Sequence, residues 1–419
     1  MKESIPLELA PSFGFGDRMG LATPGHLAAM RDHGGNIQPI YAQQSIREMA
    51  RTGRSPDAVM QAARDALVDA DFQSDWGSDA DHLKTPEDVN VTAAAGFVFF
   101  TIDPSDHVVT DADDYTPAQL ELRYQEAPHP VPWIDRYHGE TIRIGDDVVI
   151  EFDHLSVTRA AVKYGRAIEH ALAMAQHIDS VMTGMRKAYE IELSVDETPQ
   201  PTTLAEHYII ADQCMRADMK LVSLAPRYIG DFEKGIDYKG STSDFEASLA
   251  QHAAIARHLG PYKLSLHSGS DKLSIYEPFA RITQGMFHVK TAGTSYLEAL
   301  RVVARENAVA FRDIVNFSRE RFDEDRATYH ISATLDAVAP PADIADNGDI
   351  ERLYLDEDDG RQVLHVTFGS VLTHDLHGKT VRDTLIAHPQ THGDVLASHL
   401  GKHLAELNRG LCDGSTHTA

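Results

Sequence analysis

Two short segments of the chain place a histidine next to groups that could transfer protons or bind anions. In "SDADHL" Asp81 directly precedes His82, which puts a general acid or base beside a metal ligand. In "KLSLHSGSDK" His267 is followed by Ser-Gly-Ser (268–270), whose backbone amides can form a concave anion-binding nest. Imidazole and carboxylate groups together suit a divalent metal ion such as zinc, manganese, nickel or cobalt. The sequence therefore indicates a polar site that uses a divalent metal ion.

Both segments lie at the ends of predicted β-strands. Short apolar or alternating runs separated by helical patterns predict strands at 12–18, 36–45, 76–84, 96–103, 189–197, 219–227, 262–269 and 287–293. Eight strands joined mainly by helices favour an α/β fold of the (β/α)8 TIM-barrel type over an open doubly wound sheet. The active sites of such barrels lie at the C-terminal ends of the strands, so the polar residues there should meet at one mouth.

The 419 residues of the chain exceed what the barrel alone needs. Residues 1–305 are predicted to form the catalytic barrel, with residues 104–156 as an insertion after the fourth strand. Residues 306–419 are predicted to form a C-terminal α/β extension that caps the barrel. Near the end of that extension His399 and His403 fall four residues apart, and we interpret them as part of a solvated helix face.

The charge of the chain narrows the range of partners. The sequence has 38 Lys and Arg against 64 Asp and Glu, a formal net charge of −26. So acidic a surface repels phosphate backbones, and nucleic acid is not an expected partner. An anionic substrate therefore has to be captured by a local positive site. Self-association into a homo-oligomer is left open by the sequence.

The location of the protein is predicted from what the sequence lacks. The longest apolar stretch, around "AAAGFVFF", is too short to cross a bilayer, so no membrane partner is expected. Cys214 and Cys412 support neither a disulfide framework nor a thiolate metal cluster. The N-terminal residues lack the features of a signal peptide, so we expect a cytoplasmic protein.

Eight ordered blocks between about residues 13 and 303 carry a resemblance to a known family. The blocks are "GFGDRMGLATPGH", "YAQQSIREMARTGRSP", "WGSDADHLKTPEDV", "FFTIDPSDHV", "SVDETPQPTTLAEHYII", "SLAPRYIGDFEKGIDYKG", "HSGSDKLSIY" and "FHVKTAGTSYLEALR". Together they resemble the tagaturonate epimerase family of bacterial hexuronate breakdown. The resemblance implies a metal-dependent isomerase on a barrel fold that interconverts D-tagaturonate and D-fructuronate. Family members also act on the neutral ketoses tagatose and fructose, so the implied substrate is a small ketouronate or ketohexose.

The chemistry of such an epimerisation follows from the substrates. The two ketouronates differ at the β-carbon of the ketone, whose hydrogen the carbonyl does not acidify, so simple deprotonation is a poor route. A retro-aldol cleavage between the α- and β-carbons, rotation of the aldehyde fragment and re-formation of the bond would invert that centre. A divalent metal would stabilise the enediolate, and two acid/base groups must serve the β-hydroxyl, one for each configuration.

The strand-end residues supply candidates for each of these roles. The predicted metal ligands are His82, His267 and His288, with Glu197 or His365 as further ligands. The predicted proton-transfer pair is Asp81 and Asp271, with Asp196 in reserve. The predicted substrate-binding residues are Arg227, Lys272, Lys290, Ser268 and Ser270.

Two other functions stay open at this point. A class II-type metal-dependent ketose aldolase would use the same groups, and "SDADH" and the histidine–Gly/Ser loop resemble that class over a short stretch. A non-catalytic barrel protein that binds a sugar acid is the second alternative.

Overall fold

The structure is a computed structural model that describes residues 2–126 and 131–413. Residues 127–130 of the predicted insertion and 414–419 of the predicted extension lie outside the described residues. The strands are β1 (Ser12–Gly16), β2 (Gln38–Ser45), β3 (Gly77–Leu83), β4 (Phe99–Ile102), β5 (Thr141–Ile144), β6 (Val148–Glu151), β7 (Glu190–Val195), β8 (Leu221–Pro226), β9 (Lys263–Leu266) and β10 (Phe287–Thr291).

Eight of these strands close into a parallel barrel. Their spatial order is β1–β10–β9–β8–β7–β4–β3–β2, and β5 and β6 form a separate antiparallel hairpin. Each of the eight predicted strand segments contains one barrel strand. The predicted (β/α)8 architecture is therefore confirmed.

Helices connect the strands and form the outer layer. They are α1 (Thr23–His33), α2 (Ile46–Thr52), α3 (Pro56–Asp69), α4 (Pro86–Ala95), α5 (Pro117–Gln125), α6 (Ile134–Tyr137), α7 (His154–Gly184), α8 (Leu204–Arg216), α9 (Thr242–Leu259), α10 (Leu273–Ile282), α11 (Thr294–Glu306), α12 (Ala308–Asp325), α13 (Asn347–Leu355), α14 (Asp358–Val366), α15 (Phe368–Thr373), α16 (Asp375–Ala387) and α17 (Pro389–Asp413). Capping boxes begin some of them: the Thr85 and Thr203 hydroxyls accept hydrogen bonds from the amides of Asp88 and Glu206, whose carboxylates bind back. These caps fix the points at which the chain leaves the barrel mouth.

The described part of residues 104–156 lies between β4 and α7, as the insertion was predicted to do. It contains α5, α6, the β5–β6 hairpin and the short 3₁₀ helices Ser105–His107 and Thr110–Asp114. The 31-residue α7 then returns the chain to the barrel, with an apolar face that is buried along its length. Among residues 2–126 and 131–413, no helix combines the length and the apolarity that crossing a lipid bilayer requires.

The interior of the barrel is polar toward the C-terminal ends of the strands. Asp79, Glu192 and Lys290 are almost fully buried there, and the Thr101 hydroxyl donates a 2.9 Å hydrogen bond to Asp79 Oδ1. Because side chains alternate along a strand, Asp79 and Asp81 of β3 point to the same side of the sheet. The polarity of β3 therefore reflects inward-facing acids and not a surface strand.

The regular secondary structure in the described part of the C-terminal extension is helical, with three 3₁₀ turns, Arg326–Thr328, Leu335–Ala337 and Pro341–Asp343, between α12 and α13. The strand content expected in an α/β extension is not found there. "VLHVTFGS" forms the end of α14 and the start of α15, because a short apolar run suits a buried helix as well as a strand. The division of the chain at residue 305 stays a prediction.

The last helix, α17, packs against the barrel itself. Leu396, Leu400, Leu404 and Leu407 belong to the same buried apolar cluster as the barrel strands. His403 is fully buried, so the interpretation of this segment as a solvated helix face is wrong. The leucine spacing turns one side of α17 inward, and His403 lies on that side.

Candidate active site

A cavity of about 550 Å³ opens at the C-terminal ends of the barrel strands. Tyr329, His330 and His365 of the extension form part of its wall. The predicted site residues that line it are Asp81, His82, Asp196, Glu197, Arg227, His267, Ser268, Ser270, Lys272, Lys290 and His365. Asp271 and His288 are the two predicted site residues that do not line this cavity.

His82 and His267 lie side by side, and each has one ring nitrogen held by a carboxylate. Their ring centroids are 5.1 Å apart. His82 Nδ1 donates to Asp81 Oδ1 at 2.8 Å, and His267 Nε2 donates to Glu192 Oε1 at 2.5 Å. Carboxylates that bind one nitrogen of an imidazole orient the other nitrogen for a metal ion. The backbone of His82 has a φ of +56°, which is strained for a residue with a side chain and is typical of functional sites.

The remaining nitrogens of both histidines face carboxylates at the cavity wall. His82 Nε2 lies 3.7 Å from Glu197 Oε1, and His267 Nδ1 lies 3.3 Å from Asp196 Oδ1. The buried His267 Nδ1 has no hydrogen-bond partner within the described residues. One ligand atom each from Asp81, His82 and His267 lies within 4.8 Å of the others. This donor set fits a divalent metal ion that prefers nitrogen and oxygen ligands.

The negative charge around the histidines controls their protonation. Burial opposes protonation of His267, but Asp196 and Glu192 outweigh it and raise the pKa of His267 to about 10. Burial likewise opposes protonation of His82, and Asp81 nevertheless raises its pKa. Despite burial, His82 and Lys290 hold the pKa of Asp81 well below its usual range. The site therefore has excess negative charge that attracts protons or a cation.

Lys290 lies at the centre of three carboxylates. Its Nζ is 2.8 Å from Asp79 Oδ2, 2.7 Å from Asp81 Oδ1 and 2.8 Å from Glu192 Oε1. Burial lowers the pKa of Lys290, but these three carboxylates together raise it above its ordinary value. The ammonium group thus helps to keep Asp81 and Glu192 ionised and fixes the positions of all three acids. Its role as a ligand for the substrate's carboxylate stays a prediction.

Asp271 binds to the C-terminal extension behind the loop that follows β9. Its carboxylate lies 3.0 Å from Arg361 Nη2 and accepts a 2.6 Å hydrogen bond from His399 Nε2. Its amide donates to His403 Nε2 at 3.0 Å. Arg361, His399 and His403 lie on α14 and α17, which local sequence patterns could not place near Asp271. The structure therefore does not bring Asp271 to the predicted metal ligands.

His288 lies in the barrel below the cavity. Its Nδ1 is 2.9 Å from Ser12 Oγ, and its Nε2 is 3.8 Å from Asp79 Oδ2. A strand rises by about 3.3 Å per residue, so His288 is a layer below Lys290, two residues later on β10. The structure therefore separates His288 from His82 and His267.

The remaining predicted substrate-binding residues differ in how they are held. Lys272 Nζ donates hydrogen bonds to the carbonyls of Glu233, Ile236 and Ser270. These bonds connect the loop after β9 to the loop after β8. Ser268 Oγ accepts a 2.8 Å hydrogen bond from Lys234 Nζ. In the described chain, Arg227 and Lys234 have no carboxylate within salt-bridge distance, unlike Lys290.

Sequence reasoning missed two residues of the site. Glu192 and Asp79 hold Lys290 from inside the barrel. A signal existed for these acids, because "YEIELSV" and "GSDADH" each place acids two residues apart on one face of a strand. Arg18 and Lys234 also line the cavity, and the sequence places Arg18 at a strand end and Lys234 in a cluster of basic residues suited to an acidic substrate.

A closed parallel barrel whose C-terminal mouth gathers carboxylates, histidines and cations defines a barrel enzyme for a small polar substrate. The sequence profile of the tagaturonate epimerase family matches residues 4–407, and the chain belongs to that family. It is 41% identical over 397 residues to the tagaturonate/fructuronate epimerase of Thermotoga maritima, covering 94% of this chain and 80% of that protein.

Solved structures of another relative match the fold closely. The native crystal structure of the fructuronate-tagaturonate epimerase of Cohnella laeviribosi has a TM-score of 0.90 and 37% sequence identity, with 97% of this chain and 83% of that chain covered. A glycerol complex of the same protein gives a TM-score of 0.90 and 36% identity over the same shares of the two chains. The likeness thus extends over the barrel and the C-terminal helices.

Proposed function

We propose that this chain interconverts D-tagaturonate and D-fructuronate with the help of a divalent metal ion. The observation that carries the proposal is the pair of carboxylate-oriented histidines, His82 and His267, whose remaining nitrogens face further carboxylates in the cavity. Membership of the tagaturonate epimerase family supports the choice of substrate. The proposed class is thus a carbohydrate epimerase, an isomerase.

The proposed metal ligands are His82 Nε2, His267 Nδ1 and Glu197. The two nitrogens are the ones that Asp81 and Glu192 leave available, and Glu197 Oε1 is the oxygen that faces His82. When bound, zinc, manganese, nickel or cobalt would supply Lewis acidity toward the oxygens of the ketose.

The carboxylates beside the histidines supply the proposed proton transfers. In one direction Asp81 accepts the proton of the β-hydroxyl, the aldehyde C=O forms, and the electron pair of the α–β carbon bond passes into the ketone. The aldehyde turns its other face to the resulting enediolate, and the bond re-forms. Asp196, which follows β7, must enter this direction protonated, and it gives that proton to the inverted alkoxide. Asp81 then releases its proton to solvent and Asp196 takes one up, and in the reverse direction the two residues exchange roles. Lys290 holds Asp81 in its ionised form for this task.

The position of the substrate's own carboxylate sets a further requirement. Cleavage between the α- and β-carbons divides the ketouronate into a three-carbon enediolate and a three-carbon aldehyde that carries the carboxylate. The aldehyde fragment must rotate without leaving the cavity. A cation on the cavity wall that binds its carboxylate would retain it. Arg227, which lines the same cavity, remains a proposed substrate-binding residue.

The proposal is tested with purified protein and D-tagaturonate, followed by NMR with and without a chelator. We expect D-fructuronate to appear, the turnover to stop on chelation, and readdition of a divalent metal to restore it. His267→Asn should lower both metal content and turnover at least about 100-fold, since losing even an outer partner of a metal ligand can cost that much. His258→Asn, an exposed histidine outside the site, is the matched control.

Three results would contradict the proposal. Turnover that survives chelation would exclude the metal. Accumulation of free aldehyde in place of the epimer would identify an aldolase. Sugar-acid binding without either product would identify a binding protein.

A further inference from the structure

One wall of the cavity carries a positive charge at Lys234 that no carboxylate of the described residues neutralises. Lys234, in the loop between β8 and α9, lines this wall and donates from Nζ to Ser268 Oγ at 2.8 Å. Throughout the described residues no carboxylate lies within 4.0 Å of Lys234 Nζ. Its ammonium group is therefore available to a ligand in the cavity.

His365 of α14 lies near Lys234, and its imidazole ring forms no hydrogen bond with the described residues. It is 2% exposed, lines the cavity, and its buried Nδ1 has no partner. Burial and the nearby cations Arg18 and Lys234 hold the pKa of His365 well below its usual range, so the ring is neutral. A neutral imidazole has one N–H that can donate to an anion.

Arg18 is a further cation of this wall, and part of its guanidinium group has no hydrogen-bond partner among the described residues. Its Nε and Nη2 donate to Glu48 Oε1 at 3.1 and 2.5 Å, and its guanidinium carbon lies 3.6 Å from the ring centre of Phe368. The buried Nη1 has no hydrogen-bond partner among the described residues. Arg18 is 4% exposed and lines the cavity, so only a molecule in the cavity could reach its free N–H groups.

The N-terminus of α11 points at the same wall. Gly293 directly precedes this 13-residue helix and lines the cavity, and no side chain of the described residues caps the helix. A Cβ at Gly293 would lie 2.0 Å from His365 Cε1, so only glycine lets the imidazole sit against the helix start. The first amides of a helix have no acceptor within it and carry a positive partial charge, which favours an anion.

We propose that Arg18, Lys234, His365 and the N-terminus of α11, together the anion wall, bind the carboxylate of the ketouronate. This assignment rests on the proposed function and adds the site that selects an acidic sugar over a neutral one. The net charge of −26 repels anions, so the substrate's carboxylate must be recognised at short range. A planar carboxylate can accept from the ammonium group, the imidazole and a helix amide together.

The anion wall gives His365 a different role from the one the sequence suggested. His365 is absent from the groups of side chains whose ligand atoms come close enough to hold a metal ion. Its surroundings are cationic, whereas those of His82 and His267 are acidic. A metal ion and a carboxylate would therefore occupy different parts of one cavity, with the scissile bond between them.

The test compares Lys234→Gln with Lys234→Arg, which keeps the charge, and with Lys239→Gln. Lys239 lies outside the cavity wall, is half-exposed, and loses the same charge on substitution. For Lys234→Gln we expect kcat/KM toward the ketouronates to fall roughly 10- to 100-fold, mainly through KM, as for a lost hydrogen bond to a charged group. The preference for ketouronates over tagatose and fructose should fall with it. Lys234→Arg should keep most of that preference, and Lys239→Gln all of it.

A binding measurement separates this proposal from the proposed function. Tartronate, a small hydroxy-dicarboxylate, should raise the Tm of the wild-type protein and of Lys239→Gln, but not that of Lys234→Gln. This result would support the anion wall even if no epimerase activity were found. An equal Tm shift in all three proteins, a preference for inorganic phosphate over tartronate, or unchanged substrate preference in Lys234→Gln would overturn it.

Discussion

Replacing Lys290 by methionine removes the one cation that three buried carboxylates share. Lys290 Nζ lies 2.7 to 2.8 Å from Asp79, Asp81 and Glu192, and donates to Thr101 Oγ1 at 2.6 Å. Methionine fills a similar volume but offers no charge and no donor. The substitution therefore leaves buried acids that repel one another and have lost their common partner.

The expected loss of stability follows from the burial of this cluster. Removing one partner of a buried ion pair costs about 3–5 kcal/mol, because an uncompensated charge is left in a low-dielectric environment. Asp79 and Glu192 have no exposed side-chain surface, and Lys290 contacts three acids, so we expect about 5 kcal/mol. Typical unfolding free energies are about 5–15 kcal/mol, so this single change should leave the fold marginal.

Urea denaturation with a chelator present measures this loss without interference from metal ions. Lys220→Met is the matched control, because the Lys220–Asp179 pair has side chains 54% and 57% exposed and lies 3.8 Å apart. That control should lose at most about 0.5 kcal/mol. Adding Asp79→Asn to Lys290→Met should recover part of the loss, since it removes one of the repelling charges. A loss below about 1 kcal/mol for Lys290→Met would refute the charge argument.

Three further predictions concern other parts of the molecule. Glu192→Gln should weaken metal binding about 10- to 100-fold, because the charge that orients His267 is lost. Competition with a chelator measures this affinity, and an unchanged affinity would contradict the proposed ligand set. Asp271→Asn should lower the denaturation midpoint while leaving kcat nearly unchanged, because Asp271 contacts Arg361 and His399 of the extension and does not line the cavity. A loss of kcat with full stability would restore Asp271 as a proton-transfer residue. Burial lowers the pKa of His252 to about 4 from an ordinary 6.5, so the unfolded chain binds more protons between these values. The free energy of unfolding should therefore fall by up to about 3 kcal/mol as the pH drops from 6.5 to 4, and His252→Asn should remove that part of the dependence.

The barrel was predictable from the sequence because strand patterns are local. Alternation and short apolar runs found all eight strands, including β3, whose "GSDADH" has little apolar character. The ends of those strands then identified most of the cavity wall, since parallel strands bring their C-terminal ends to one face. The helical extension was harder, because burial and not periodicity decides whether "VLHVTFGS" folds as a strand or as helices.

Asp271 and His288 show the limit of predicting site residues from the C-terminal ends of the strands. Asp271 has a φ of +62°, which turns its side chain away from the direction that the strand sets and toward α17. Its partner His399 follows 128 residues later, so no local pattern connects them. His288 points inward as expected, but depth along the strand separates it from the mouth. Both differences from the prediction concern the position of a side chain and not its chemistry.

The cations of the cavity fall into two groups with different tasks. Lys290 is neutralised by three acids and holds them in place, whereas Lys234 and Arg227 have no acidic partner within the described residues. In a chain with a net charge of −26, a cation that stays without an acid is unusual, because carboxylates outnumber basic groups. An acidic sugar would supply the missing charge only while it is bound. The charge pattern therefore favours a site that releases its anionic product as readily as it accepts the substrate, as a reversible epimerisation requires.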